Sequence, residues 1–145
     1  APVSKANFEE ILMLRCTLED MALRASIAQA DTGWEEQVVL CHHHMKQASK
    51  RSTSDFEVAH KAFHMALLAN AGLPMLEGYC AQLYDLNIRY RYLAAGVPSY
   101  GERSIEAEHQ AIFDAALDRD ADAASTALIE HYRRTGQYLS SQMES

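Results

Sequence analysis

Two histidines one helical turn apart are the residues of this sequence best placed to bind a metal ion. His60 and His64 lie within DFEVAHKAFHMALLAN (55–70), on the stripe of an amphipathic helix that should be apolar. Four helical residues at about 100° each bring two side chains within about 40° of one another. Both imidazoles can therefore reach one ion, if other helices bring further ligands to the same point.

Two later histidines have the same unusual placement. His109 and His131 each fall on the predicted apolar stripe of a separate helix. A buried imidazole needs a hydrogen-bond partner or must stay neutral at a desolvation cost, whereas a divalent ion takes neutral imidazole nitrogen as a ligand. The four histidines predict one divalent transition metal ion, with zinc first and nickel, iron or manganese as alternatives.

Three adjacent histidines do not predict such a site. His42, His43 and His44 are consecutive, so their side chains fan out around a helix axis and cannot converge on one ion. We interpret them as exposed or partly packed residues.

The positions of two glutamates make a metalloenzyme the alternative function. Glu57 and Glu106 each stand three residues before a histidine of the set. Two Glu-x-x-His pairs in a helical bundle are typical of di-iron carboxylate enzymes, which also need a bridging glutamate from each of two further helices. Glu19 and Glu77 are the candidates for that bridging role, and neither is clearly directed inward.

One arginine interrupts the apolar stripe of the first predicted helix. Arg15 stands between Ile11 and Leu18, and a guanidinium that faces a core needs an anionic partner. A salt bridge to Glu19, one turn on, and the binding of an anionic ligand are both open, and they are compatible.

The fourth predicted helix carries a stripe that is unusually polar for a buried element. Cys80, Tyr84, Asn87 and Arg91 share this face. The stripe predicts either the wall of a wet cavity or a boundary face towards solvent.

The elements that must position these residues are all helical. Helical periodicity, capping residues and Gly/Pro breaks predict helices over about 7–28, 31–49, 52–72, 74–95, 103–117 and 121–142, and no stretch has the alternation of a strand. A chain of 145 residues corresponds to one domain. We predict an all-α antiparallel bundle with short connections.

Composition excludes several classes of protein. The formal net charge of −7 argues against direct binding of a phosphate backbone. No apolar run is long enough to cross a bilayer, and the first residues lack the pattern of a secretory signal. Cys16, Cys41 and Cys80 are too widely spaced for a zinc motif, and we interpret them as reduced thiols of a cytoplasmic protein.

Three stretches of the sequence resemble, in the same order, one family of regulatory domains. They are LRCTLEDMALRAS (14–26), HKAFHMALLANAGLPML (60–76) and EHQAIFDAALDRDADAASTALIEHY (108–132). Together they are similar to the effector-binding C-terminal (FCD) domain of the FadR branch of GntR-type bacterial transcription regulators. The family's metal pattern is Asp-x3-His followed, after a long gap, by His-x21-His.

The match to that metal pattern has one departure. His64, His109 and His131 correspond to the family's histidines, with 21 residues between the last two, but His60 stands where the family usually has Asp. Either His60 coordinates as a fourth ligand or a three-histidine site remains. The one-turn spacing from His64 favours coordination.

The resemblance implies a fold, a function and partners. It implies a bundle of six to seven helices that forms a homodimer and binds a small organic acid, often through the metal, without enzymatic activity. Residues 1–6 would be a tail or linker remnant and residues 7–145 the sensor domain. The winged helix-turn-helix that would contact DNA lies N-terminal to such domains and is absent from this chain.

The resemblance also implies residues that hold the acid. Arg15 resembles the arginine that the family uses on its first helix to bind the far end of the acid. Tyr84, Asn87 and Arg91 are candidates for the rest of the binding wall.

Overall fold

Six helices make up the part of the chain that the structure describes. The structure is a computed structural model that describes residues 4–95, 104–141 and 143, and of residues 91–95 only the helical backbone. The helices are α1 (Lys5–Ala28), α2 (Thr32–Ala48), α3 (Thr53–Leu68), α4 (Pro74–Ala95), α5 (Ile105–Leu117) and α6 (Ala121–Ser141). These residues contain no strand, and the all-α prediction is confirmed. None of their helices combines the length and apolarity that a bilayer span needs.

Serine and aspartate side chains set most helix starts. The Ser4 hydroxyl accepts the backbone N–H of Asn7, so α1 begins at Lys5, two residues before the predicted start. Ser52 caps α3 and Ser104 caps α5 in the same way, each accepting an N–H three residues on. Asp31 and Asp120 cap α2 and α6, because their carboxylates accept the backbone N–H groups of Trp34 and Ala123.

The third helix ends earlier than its sequence pattern predicts. Helix α3 stops at Leu68, whereas the predicted end was Gly72. Residues 69–71 continue in turns, and Gly72 adopts a φ of 70°, which a glycine accepts without steric cost. The chain then enters α4 at Pro74, the predicted first residue.

The helices enclose a main core, and a smaller apolar cluster lies at one end. Helix α1 packs against α4 and α6, α2 against α3, and α5 against α6. Phe63, Leu67, Ile112 and Leu128 are almost completely buried in the main core. Each such side chain contributes about 1.5–3 kcal/mol relative to an exposed one, so apolar packing fixes α3, α5 and α6 around their histidines.

Helix α6 has a glycine where it faces the Leu12 side chain of α1. A Cβ atom added at Gly136 of α6 would lie 2.4 Å from Leu12 Cδ2 and 3.4 Å from Leu12 Cγ. Any side chain at position 136 would therefore require the Leu12 side chain to move from its present position.

We expect Gly136→Val to lower the free energy of unfolding by about 1–3 kcal/mol, the usual effect of overpacking. Gly78→Val is the matched control, because Gly78 is also helical and a Cβ there would meet nothing within 4 Å. Chemical denaturation of both variants checks this expectation. Equal stability of the two variants would contradict the close α1–α6 contact.

Candidate metal centre

Four buried histidines from three helices meet in the middle of the bundle. Helix α3 supplies His60 and His64, α5 supplies His109, and α6 supplies His131. Their exposed fractions are 1–5%. One ring nitrogen from each lies within 4.8 Å of those of the other three, so the structure brings all four predicted ligands together.

The spacing of three ring nitrogens matches the geometry of a metal site. The Nε2 atoms of His60 and His64 are 3.1 Å apart, and the Nε2 atom of His109 lies 3.2 Å from the first and 3.3 Å from the second. Zinc–nitrogen bonds of about 2.0–2.1 Å place tetrahedral ligands about 3.3 Å apart, and neighbouring octahedral ligands about 2.9 Å apart. The observed distances lie between these two values.

Hydrogen bonding among the histidines cannot satisfy this arrangement. Each ring nitrogen either carries a hydrogen and donates or carries a lone pair and accepts. Among three nitrogens that all face one another, at least two must be of the same kind. At least one pair therefore consists of two donors or of two acceptors, which cannot form a hydrogen bond. A cation that accepts all the lone pairs removes this conflict, so the residues present fit a divalent metal ion.

The other ring nitrogen of three of these histidines is engaged by a partner outside the cluster. Nδ1 of His60 lies 2.5 Å from the Tyr84 hydroxyl, and Nδ1 of His64 lies 2.8 Å from the Tyr132 hydroxyl. Nδ1 of His131 lies 2.7 Å from Glu108 Oε1. Partners of this kind orient metal-binding imidazoles and select their tautomer. They direct Nε2 towards the centre.

The surroundings of His64 favour its neutral form. Burial lowers the pKa of His64 well below its usual range, and the neighbouring histidines and Arg15 lower it further. A neutral ring is the form that binds a metal, because the lone pair must be unprotonated.

The surroundings of Arg15 agree both with a salt bridge to Glu19 and with the binding of an anionic ligand. Arg15 is buried, and its Nε donates to Glu19 Oε2 at 2.9 Å, which is the predicted salt bridge. Its Nη2 atom is also buried and has no hydrogen-bond partner among the residues that the structure describes. The guanidinium lies 3.8 Å from the centre of the Tyr132 ring and 5.0 Å from that of Tyr84.

Glu19 is the buried counter-ion of this arginine. Burial raises the pKa of Glu19, while Arg15 and the hydrogen bond from Tyr132 act in the opposite direction. The Tyr132 hydroxyl donates to Glu19 Oε1 at 2.6 Å. The arginine is therefore connected to the histidine cluster through Glu19 and Tyr132.

The polar face of α4 points into the protein. Cys80, Tyr84 and Asn87 are 0–5% exposed, so these three residues do not form a boundary with solvent. Burial raises the pKa of the Cys80 thiol to about 12. The side chain of Arg91, the fourth predicted residue of this face, lies outside the described residues.

His42 has a packing role apart from the cluster. It is buried, with its ring stacked on Phe113 at 4.1 Å between centroids and 5.4 Å from the ring of Phe63. His43 and His44 are exposed. None of the three belongs to the group of histidines that could share an ion.

The glutamates required for a di-iron site are not in the cluster. Within the described parts of the chain, the group able to share an ion consists of histidines alone. Glu57 is half-buried and Glu106 is exposed. Glu19 is paired with Arg15, and Glu77 accepts the backbone N–H of Leu73. This arrangement gives no support to the di-iron alternative.

Sequence comparison gives the family of this chain. Residues 10–134 match the profile of the FCD domain. The chain belongs to the FCD domain family. This confirms the resemblance to the effector-binding domain of GntR-type regulators.

Two regulators are similar to this FCD domain over most of its length. The uncharacterised HTH-type transcriptional regulator BphR of Paraburkholderia xenovorans is 31% identical over 137 residues, which are 90% of this chain and 56% of that protein. The HTH-type transcriptional repressor GlaR of Escherichia coli is 27% identical over 139 residues, covering 90% of this chain and 63% of the repressor. The chain thus spans somewhat more than half of each relative. Family and relatives are regulators, which confirms the prediction of a non-enzymatic domain.

Solved structures show the same fold. E. coli McbR/YncC superposes with a TM-score of 0.81 at 19% identity, over 98% of this chain and 72% of that one. A GntR-family transcriptional regulator from Pseudomonas syringae pv. tomato superposes with a TM-score of 0.77 at 19% identity, over 97% of this chain and 59% of that one.

His42→Phe should preserve stability at pH 7.5 and increase it relative to the parent domain as the pH falls below about 6.5. Burial, with a smaller contribution from Lys46, lowers the pKa of His42 in the folded state. As the pH falls, the His42 imidazole is therefore protonated in the unfolded chain before it is protonated in the folded one. The folded state consequently loses stability in acid. Phenylalanine removes that titration, and it also removes a buried Nε2 that has no hydrogen-bond partner among the described residues.

Chemical denaturation at pH 7.5 and 5.5 measures this difference, with the exposed His44→Phe as control. A His42→Phe variant that gains nothing in acid, or that loses metal, would contradict the packing role.

Proposed function

We propose that this FCD domain is a metal-dependent sensor of a small organic acid in a FadR-branch regulator. The observation that carries the proposal is the convergence of Nε2 atoms from separate helices at 3.1–3.3 Å. The acid would bind at the metal and at Arg15. Its binding would favour one conformation of the domain and so control DNA binding by a separate N-terminal domain.

The metal is one divalent transition ion held by His60, His64, His109 and His131. All-imidazole coordination suits zinc, and it also suits nickel or iron. Four protein ligands on a five- or six-coordinate ion leave one or two positions for a carboxylate, or for a carboxylate with an adjacent hydroxyl. When bound, the ion supplies a positive charge and a point of attachment for the acid.

Arg15 supplies the second contact to the acid. Support comes from its buried Nη2, which has no hydrogen-bond partner in the described parts of the chain. A guanidinium binds a carboxylate through parallel N–H groups, and here one side of it is already engaged by Glu19. Tyr84 and Asn87 are buried on the α4 face and complete the wall of the site.

The full-length protein would act as a cytoplasmic homodimer. Support for a dimer comes from apolar residues left exposed on two helices that pack together, Leu14 and Met21 on α1 and Met75 and Tyr79 on α4. Support for DNA binding comes from the two HTH-type relatives.

The purified domain should contain about one divalent ion per chain, as the one four-histidine group among the described residues implies. His109→Ala and His131→Ala should lower metal content and melting temperature together. At zinc concentrations 100 times the Kd, binding stabilises the native state by about 2.7 kcal/mol, which the variants would lose.

Elemental analysis and thermal melting with and without a chelator measure both quantities. His43→Ala is the control, because His43 is exposed and outside the cluster. Full metal content in both cluster variants would refute the site.

Arg15→Lys should weaken the binding of a small carboxylate about tenfold or more and leave the metal in place. Lysine keeps a positive charge beside Glu19 but lacks the planar fork that pairs with a carboxylate. A thermal-shift screen with acetate, malate and citrate identifies a binding acid, and calorimetry with that acid compares the variants. Arg24→Lys is the control, because Arg24 lies on the same helix in an exposed ion pair with Asp20. Equal affinity in Arg15→Lys would remove Arg15 from the site.

A further inference from the structure

A line of buried polar groups connects Arg15 to one of the four histidines. Arg15 Nε donates to Glu19 Oε2 at 2.9 Å, and Glu19 Oε1 accepts the Tyr132 hydroxyl at 2.6 Å. The same hydroxyl lies 2.8 Å from His64 Nδ1. All four side chains are at most 5% exposed, so neighbouring water does not compete for these hydrogen bonds.

The direction of the hydrogen bonds follows from the number of hydrogens. A tyrosine hydroxyl has one hydrogen to donate, and an ionised carboxylate can only accept. The guanidinium of Arg15 favours the ionised form of Glu19, so the Tyr132 hydrogen goes to Glu19. The Tyr132 oxygen must then accept from His64, which requires the hydrogen of the neutral imidazole to be on Nδ1.

We propose that Glu19 and Tyr132 are positioning residues that hold His64 in the tautomer whose Nε2 carries a lone pair. That lone pair faces the Nε2 atoms of His60 and His109 at 3.1 and 3.3 Å. The inference rests on the proposed function in that it treats His64 as a ligand. The tautomer itself is fixed by protein groups and exists before any ion is bound.

The same line of groups connects the two binding events. An acid that pairs with Arg15 draws positive charge away from Glu19 and makes this carboxylate a stronger acceptor. Tyr132 then becomes a stronger acceptor for His64, whose Nε2 becomes a better donor to the ion. Acid and metal therefore strengthen each other's binding reciprocally.

The tautomer can be measured without metal. Histidine labelled with ¹⁵N in the metal-free domain gives distinct chemical shifts for protonated and unprotonated ring nitrogens, and His64→Gln assigns the His64 signals by their loss. We expect His64 to show a protonated Nδ1 and an unprotonated Nε2. In Tyr132→Phe this preference should be lost, because phenylalanine offers no acceptor.

Tyr90→Phe is the matched control for the loss of a buried hydroxyl. Tyr90 is 4% exposed, and its hydroxyl binds the Asn7 side chain, which lies outside the cluster. This variant should keep the His64 tautomer. A protonated Nε2 in the parent domain, or an unchanged tautomer in Tyr132→Phe, would overturn the inference.

Zinc titration supplies a second measurement. The Kd for zinc should rise about tenfold or more in Tyr132→Phe, the usual effect of losing an outer partner of a metal ligand, and less than about twofold in Tyr90→Phe. An unchanged zinc Kd in Tyr132→Phe would also overturn the inference. If the parent domain bound no zinc, the proposed function would fail, whereas the metal-free tautomer would still test the role of Tyr132.

Discussion

Four imidazoles buried against one another form the arrangement on which this domain depends. The Nε2 atoms of His60, His64 and His109 are too close and too alike to satisfy one another by hydrogen bonds alone. Apolar packing of Phe63, Leu67 and Ile112 holds the helices that carry them. The bundle is thus assembled by apolar burial, while the histidines at its centre fit a cation. This division of roles would let the proposed metal site coexist with a well-packed core.

Helical periodicity was sufficient to predict the four histidines that meet at the centre. Each occupied a position where a helix should present an apolar residue, and one-turn spacing brought His60 and His64 together. The start of α1 was harder to predict, because Ser and Asn are both good caps and Ser4 and Asn7 stand three residues apart. Ser4 rather than Asn7 precedes α1 because its hydroxyl reaches the Asn7 backbone N–H.

The outer partners of the histidines could not be predicted from the sequence. Tyr132 follows His131 directly, so its side chain leaves the helix about 100° away, where it meets His64 of α3 and Glu19 of α1. Such contacts depend on how far each helix is rotated and shifted against its neighbours, which periodicity within one helix does not determine. Glu108 was missed for the same reason, although it stands next to His109.

If the proposed site holds an ion, His60 in place of the family's usual aspartate changes the charge of the centre. Glu19 is balanced by Arg15, and Glu108 lies 3.6 Å from Arg134. Imidazole binds a metal in its neutral form, so none of the four candidate ligands would reduce the charge of a divalent ion. In a buried site such a charge attracts a counter-ion strongly, because the surrounding dielectric constant is low. A site with an aspartate ligand would carry one negative charge more. In the proposed metal site, the histidine at position 60 would therefore favour an anionic ligand over a neutral one at the open positions of the ion.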